Sequence, residues 1–343
     1  MTETSKQLQE WAICKIKMEY PDDIALLVAV DGISVNNNGH GECFDYFVPA
    51  TDRGYELSRT FVVDGVGYDL YPRSWDRCAC TANLDGNDTF TLLNAKIVYS
   101  RSPEDVAQFE AYRTQLHENL NNKNFMYRKA LERLDTAMGF YRTLMFEENL
   151  QKAIVGLGFI EHYMAVVAFL LNGKVYSWWR TCFDELHQLP HIPNNFAEYH
   201  KATLSVRSVG ECRSLAHLLI EVTRKFIAAH KPDSAISVKT PDSGLADWFC
   251  EMALQWNRMD YYCSINDADS TFGDAIILQS ELNAISSEYG LDEFDLLSHF
   301  DTTNLNAFRA RAAEIAERIK AILANNGIKL RSYATVEAFL AEN

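Results

Sequence analysis

Three acidic residues near the start of the chain, Glu42, Asp45 and Asp69, are the side chains whose type and spacing best fit chemistry. Glu42 and Asp45 begin an apolar run that ends at Pro49, and Asp69 lies inside the run Val66 to Tyr71. A carboxylate in an otherwise buried strand is costly unless it is paired or binds a metal ion. These residues are therefore candidate metal ligands, and an arginine partner is the alternative for Asp69.

A polar loop from Gly32 to Gly41, which contains three asparagines, stands just before Glu42. Glycines let backbone amides approach phosphate closely, so the loop could cradle a triphosphate. A surface loop with asparagines in turn conformations is the open alternative. Arg53, Arg59 and Arg73 come later in the chain and could meet an anionic phosphate, although ordinary solvated charge is the favoured interpretation for each one alone.

Short apolar runs separated by turns predict the strands that position these residues. The predicted strands are Ile24 to Val30, Phe44 to Val48, Thr60 to Val63 and Val66 to Tyr71. Asp64-Gly65 between the last two runs is typical of a two-residue hairpin turn. Leu92 to Tyr99 predicts one further strand.

The segments FVPATDRGYELSRTF (47–61) and GYDLYPRSWDR (67–77) resemble the nucleotidyltransferase superfamily of the polymerase-beta type, which includes kanamycin nucleotidyltransferase. That family has a strand, a Gly-Ser turn, an irregular loop, an Asp-x-Asp strand and a third Asp on a following strand. Both segments are similar to an uncharacterised bacterial branch with a helical second domain. The resemblance implies an α/β (α+β) mixed-sheet nucleotidyltransferase-like domain followed by an all-α helical bundle domain.

The chain departs from the family pattern at two places. Gly32-Ile33-Ser34 stands where the family has Gly-Ser, and Glu42-Cys43-Phe44 stands where it has Asp-x-Asp. Side chains alternate along a strand, so positions 42 and 44 share a face and Asp45 points to the other one. A bulge would be needed for Asp45 to join Glu42. The carboxylate site therefore has fewer ligands than the family pattern.

The resemblance implies transfer of a nucleoside monophosphate from a nucleoside triphosphate to an unidentified small-molecule or protein acceptor. It assigns catalytic roles to Asp69 and Glu42, and binding of Mg²⁺ or Mn²⁺ to Glu42, Asp69 and Asp45. Gly32, Ser34 and Arg59 would bind the nucleotide phosphates. The alternative is a catalytically impaired nucleotidyltransferase fold that acts as a nucleotide- or protein-binding regulatory module, which the departures favour.

Composition narrows the function classes. The chain has 343 residues and a net charge of −15, which argues against a general nucleic-acid surface. The N-terminus is polar and resembles no signal peptide. Eight cysteines without a C-x-x-C pair favour free thiols. These features predict a cytoplasmic protein that binds no membrane.

The character of the chain changes near residue 101, which predicts two domains, 1–101 and 102–343. Ser102-Pro103 begins a helix with a capping serine and a proline at the first helical position. Most of the chain after this point shows helical periodicity, including Tyr176 to Leu189 and the apolar stretch Ala153 to Leu171. That stretch is long enough to span a membrane, but Glu161-His162 in its middle favours a buried core helix.

The histidines give weaker signals. His162 fits a hydrogen-bonded core position better than a ligand position. His187 and His191 have the spacing of metal ligands on one helix, but Pro190 interrupts the helix between them.

Overall fold

The computed structural model of the chain describes residues 3–30, 34–35, 41–42, 46–86, 88–177, 181–232 and 238–342. Its strands are β1 (Ile24–Val30), β2 (Ser34–Val35), β3 (Gly41–Glu42), β4 (Tyr46–Pro49), β5 (Arg59–Val63), β6 (Val66–Pro72) and β7 (Ala95–Ser100). Five of them form one sheet in the order β5-β6-β4-β1-β7, and β2 pairs with β3 in a separate small sheet.

The larger sheet is mixed. β1 is antiparallel to both β4 and β7, β5 is antiparallel to β6, and β4 and β6 are parallel. Every residue of β1 is buried, which is typical of a central strand covered on both faces. One face packs against α1 (Glu3–Glu19) through Leu27 and Phe47, and the other face contributes Val28 and Tyr46 to a helical core.

The predicted hairpin between β5 and β6 is confirmed. Asp64 and Gly65 have φ angles of 48° and 77°, and the two positive values give the twist that a two-residue hairpin needs. Along β6, Val66, Tyr68 and Leu70 are buried and the residues between them are exposed. The hairpin therefore has one face in the core and one face open.

The helices that come after α1 in the first part of the chain surround the sheet and then pack on one another. They are α2 (Trp75–Ala82), α3 (Phe90–Leu93), α4 (Pro103–Asn121), α5 (Lys123–Phe146), α6 (Leu150–Leu171), α7 (Cys182–Leu186), α8 (Phe196–Thr203) and α9 (Val209–Ala229). The predicted caps are confirmed, because the hydroxyls of Ser74 and Ser102 accept hydrogen bonds from the amides of Arg77 and Asp105.

Two predicted elements differ from the structure. The strand predicted from Leu92 begins at Ala95, because the amides of Leu92 and Leu93 bond back to the Thr89 carbonyl and form a short helical turn. The helix predicted over Tyr176 to Leu189 is confined, within the described residues, to Cys182–Leu186.

In the described residues of the last part of the chain, the regular elements are all helices. Its α-helices are α10 (Ser243–Glu251), α11 (Ala253–Ser264), α12 (Ala268–Tyr289), α13 (Leu305–Asn325) and α14 (Val336–Glu342). α10 to α13 pack around buried residues that include Leu278, Phe308 and Ile315, whereas α14 is exposed. A mixed-sheet α/β region followed by a helical region confirms the predicted fold class.

The contacts divide the chain into two compact units, Met1–Asp233 and Ser234–Asn343. The boundary that the sequence predicts near residue 101 lies inside the first unit. The core that contains Val28 and Val30 of β1 also contains Leu157 and Met164 of α6. The division by contacts thus lies later in the chain than the predicted boundary near residue 101, and the folding of a fragment 1–101 would test that boundary.

Among the described residues, α6 is the helix whose length and composition would allow it to cross a membrane. Within the structure it packs against α5 and α9, and 61% of its most apolar window is buried. Glu161 and His162 are both buried in its middle. α6 is thus a core helix of the first unit.

Candidate functional site

Asp69 lies on the open face of the β5–β6 hairpin. It is opposite Thr60 in the strand pairing, and the Thr60 hydroxyl donates a hydrogen bond of 2.8 Å to Asp69 Oδ1. The sequence placed this carboxylate in a buried strand, but the alternation of β6 exposes it. An exposed carboxylate needs no compensating charge, so burial gives no reason to assign a metal to Asp69.

The short β2–β3 pair brings together two other candidate residues. Ser34 of β2 is the Cα partner of Glu42 in β3. β2 also lies beside β6, the strand that carries Asp69. Three candidates that are separated in sequence thus belong to neighbouring strands. Gly32 and Asp45 lie outside the described residues, and so do the side chains of Ser34 and Glu42.

The predicted phosphate-binding arginine, Arg59, is exposed at the start of β5. Its Nη1 donates hydrogen bonds to the carbonyls of Glu56 and Ser58, at 2.7 Å and 2.6 Å. Arg53 pairs with Asp23 at 2.9 Å. Both guanidinium groups therefore bind to neighbouring protein atoms in the structure.

Arg73 contradicts the interpretation of this arginine as an ordinary solvated charge. It directly follows β6 and its side chain is only 1% exposed. Nη1 lies 2.8 Å from Asp88 Oδ2, Nη2 donates to the Thr81 hydroxyl, and the guanidinium carbon lies 5.4 Å from the centroid of the Tyr46 ring. A buried arginine needs such partners because an unpaired charge away from water is costly.

The electrostatics of this cluster result from burial and from the ion pair. Burial acts to raise the pKa of Asp88, but the hydrogen bond from Arg73 and the charges of Arg73 and Arg77 outweigh it, so the pKa lies below its usual value. Burial raises the pKa of the Tyr46 hydroxyl well above its usual value. That hydroxyl donates to the Thr91 carbonyl at 2.8 Å. The ion pair of Arg73 with Asp88 therefore connects the end of β6 with the segment before α3.

A second buried polar group lies among the helices of the first unit. His200 Nδ1 is 2.8 Å from Glu161 Oε1, and the Phe183 ring stacks on the His200 ring with centroids 4.2 Å apart. Burial raises the pKa of Glu161 and lowers that of His162 to about 4. His162 is thus a neutral core histidine, as its position in an apolar helix indicates.

The described residues contain no group of three or more His, Cys, Asp or Glu side chains that could hold a metal ion. Asp69 is the one predicted metal ligand whose side chain is described. Magnesium is often held by one or two carboxylates together with waters and substrate phosphates, so Asp69 and one further carboxylate would be enough to hold it.

Comparison with known proteins gives limited results. No family model matches the chain, and no curated protein matches it. Among solved structures, the chain is similar to a nucleotidyltransferase-like protein from Exiguobacterium sibiricum, at 13% sequence identity and a TM-score of 0.37, over 64% of this chain and 74% of that chain.

Proposed function

We propose that this protein binds a nucleoside triphosphate beside β6 and transfers its nucleoside monophosphate to an acceptor. One observation carries the proposal: the strands of Ser34, Glu42 and Asp69 are neighbours, although up to 35 positions separate these residues in sequence. The open face of the β5–β6 hairpin gives a ligand access to Asp69.

In this proposal, different residues of the chain bind the triphosphate and the metal ion. The backbone at Gly32 and the Ser34 hydroxyl contact the phosphates, and Arg59 exchanges its carbonyl partners for phosphate oxygens, which are stronger acceptors. Glu42 and Asp69, joined by Asp45, hold Mg²⁺ or Mn²⁺. When bound, the metal ion offsets the negative charge of the triphosphate, which an acidic protein would otherwise repel.

In the proposed reaction an oxygen of the acceptor forms a bond to the α-phosphorus. The bond from that phosphorus to the oxygen bridging to the β-phosphate breaks, and pyrophosphate leaves with the electron pair. The protein contributes by positioning the triphosphate so that the acceptor and the leaving group are in line. A hydroxyl acceptor also gives up its proton in this step, to water or to the departing pyrophosphate.

A binding module without catalysis is the second candidate. It is favoured by the hydrogen bonds that Asp69 and Arg59 already make, to Thr60 and to the Glu56 and Ser58 carbonyls. Under this alternative the same surface holds a nucleotide or a protein segment and releases no pyrophosphate.

The proposal is tested by Asp69→Asn. The variant keeps an oxygen that accepts from Thr60, so the hairpin should fold normally, but it loses the charge that the metal requires. We expect nucleotidyl transfer to fall by at least about a hundredfold. The measurement is pyrophosphate release with Mg²⁺ or Mn²⁺ over the common nucleoside triphosphates and a panel of acceptors.

Asp64→Asn is the matched control, because it removes the same charge from the turn of the same hairpin. Asp64 is exposed with a φ of 48°, which asparagine tolerates well. It should keep full activity. Turnover that survives Asp69→Asn would overturn the proposed site, whereas nucleotide binding without pyrophosphate release in the wild type would establish the binding module.

A further inference from the structure

A cavity of about 860 Å³ lies at one end of the helices of the first unit, apart from the residues of the proposed nucleotide site. The ends of α4, α6 and α9 and the beginning of α5 form its wall. Small-molecule sites commonly have volumes of roughly 300–1,000 Å³. The cavity is therefore large enough for a ligand of this class.

The charge of this cavity is opposite to that of the whole chain. Lys123, Lys231, His191 and His230 line it, and none of the other described lining residues is a carboxylate. The whole chain has a net charge of −15, so a wall without carboxylates departs from its average composition. Such a wall attracts anions.

Within the described part of the chain, neither lysine forms an ion pair. Lys123 and Lys231 are both exposed, and each brings a full positive charge to the rim. Lysines near helix C-termini often offset the helix dipole, and three helices end here. Each of the three helix C-termini carries a partial charge of about −0.5, and the N-terminus of α5 carries about +0.5. The two lysine charges together with the N-terminus of α5 therefore exceed the negative charge of the three helix ends.

The carbonyl groups at these helix ends have other donors. The Asn172 side chain donates to the Ala168 carbonyl at 2.8 Å, and the Asn121 side chain donates to the His117 carbonyl at 2.9 Å. The His230 and Lys231 amides bond to the carbonyls of Ile227 and Ala228. The lysine ammonium groups are thus available to a ligand.

Hydrogen bonds fix the ring of His230 and the backbone of His191. His230 Nδ1 donates to the Phe226 carbonyl at 2.8 Å, which leaves Nε2 for another partner. The Asn172 side chain bonds to both the amide and the carbonyl of His191, at 3.3 Å and 2.7 Å. The centroids of the two rings are 5.6 Å apart. The imidazoles therefore form one side of the cavity.

The remaining wall combines apolar residues with Asn121, Asn124 and Asn172. Leu120, Met126 and Leu170 line it, and Gly173 has a φ of 66° where α6 ends. A Cβ atom on Gly173 would lie 3.2 Å from the Leu120 carbonyl oxygen, so glycine lets the ends of α4 and α6 approach each other. A ligand with an apolar body has a surface to cover beside the cations.

We propose that this cavity binds the phosphomonoester group of a small organic phosphate. Lys123 and Lys231 contact the phosphate oxygens, with His191 and His230 beside them, and the apolar residues of the wall pack against the organic part. A compact dianion suits two lysines and imidazole nitrogens, because charge-assisted hydrogen bonds are the strongest available to it.

The test measures binding of phenyl phosphate by calorimetry, with inorganic phosphate and phenol as comparison ligands. Phenyl phosphate should bind more tightly than inorganic phosphate, phenol should not bind, and higher salt should weaken binding. Lys123→Gln with Lys231→Gln should reduce the affinity at least about tenfold. In amide NMR spectra, bound phenyl phosphate should shift the signals of Lys123, Asn172 and His230.

Lys152→Gln is the matched control, since Lys152 is an exposed lysine of α6 that does not line the cavity. It should bind as the wild type does. Asp69→Asn should also bind normally, which separates this site from the proposed nucleotide site. Failure of phenyl phosphate to bind at about 10 mM, a value that corresponds to negligible affinity, would overturn the proposal, and so would unchanged affinity in the double variant.

Discussion

At the residue scale, Arg73 shows how a charged side chain can serve as a core residue. Its guanidinium contacts Asp88, Thr81 and the Tyr46 ring, and so connects the end of β6 with α2 and with the segment before α3. The ion pair with Arg73 keeps Asp88 ionised although Asp88 is partly buried, because it holds the pKa of the Asp88 carboxyl below its usual value. Removing one partner leaves the other charge without compensation.

Arg73→Ala should therefore destabilise the protein by about 3 kcal/mol or more, since it leaves both a cavity and an unpaired Asp88. Urea unfolding followed by circular dichroism measures this change.

Arg77→Ala is the comparison for the same carboxylate. Arg77 is 54% exposed and lies 3.6 Å from Asp88, so its removal should cost less than about 1 kcal/mol. Equal losses of unfolding free energy in the two variants would show that the burial of Arg73 contributes nothing to stability.

At the element scale, Asp23 joins the start of β1 to the segment after β4. Its carbonyl accepts from the Ala50 amide at 2.7 Å, and its carboxylate accepts from the Thr51 hydroxyl at 2.5 Å and from Arg53 at 2.9 Å. Gly54 lies directly against the same carbonyl. The backbone at residue 54 is thus fixed by the path of the strand next to it.

Gly54→Ala places a Cβ atom 2.4 Å from the Asp23 carbonyl oxygen, a distance at which the backbone must move. We expect a loss of about 1–3 kcal/mol in the free energy of unfolding.

Gly67→Ala is the control, because a Cβ atom at position 67 of β6 meets nothing within 4 Å. It should be neutral, or stabilising by up to about 1 kcal/mol, since alanine loses less chain entropy than glycine. Thermal unfolding of both variants decides the matter, and similar melting temperatures would contradict the steric argument.

Elements whose signals are local were predictable from the sequence. β1, the Asp64-Gly65 hairpin and the helix capped by Ser102 depend on residues within a few positions of each other. The turn at Leu92 was missed, because its apolar residues fit a strand and a short helix equally well.

The candidate site depended on tertiary pairing and was only partly predictable. Asp69 is exposed because the core covers the other face of β6. Arg73 is buried beside Asp88, which comes later in the chain. The residues next to Asp69 and Arg73 in sequence indicate neither the exposure of the one nor the burial of the other. The cavity of the first unit combines residues of α4, α5 and α6 with residues of the segments that follow α6, α7 and α9, and neither the spacing nor the composition of any one helix indicates it.

At the scale of the whole molecule, each of the two compact units has hydrophobic core residues of its own, and those of the first unit form two clusters, one of them against α1. Residues of β1, α5, α6 and α9 share one core, and residues of α10 to α13 share another. A unit with a core of its own can fold alone.

We therefore expect fragments 1–232 and 238–342 to fold separately. Each should give a helical circular dichroism spectrum and a cooperative thermal transition, because each keeps its own core.

Fragment 1–101 tests the boundary that the sequence predicts. It lacks Leu157 and Met164, which pack in the same core as Val28 and Val30, so we expect it to aggregate. A soluble, cooperatively unfolding fragment 1–101 would instead establish the earlier boundary.

The central place of β1 also matters while the ribosome is still making the chain. One edge of β1 is completed by β7, whose last residue is Ser100, and synthesis proceeds at about 5–20 residues per second. For roughly 4–14 s the nascent apolar strand Ile24–Val30 therefore has an unpaired edge. Such an edge readily pairs with other chains, so the hazard of aggregation during synthesis is greatest before Ser100 emerges.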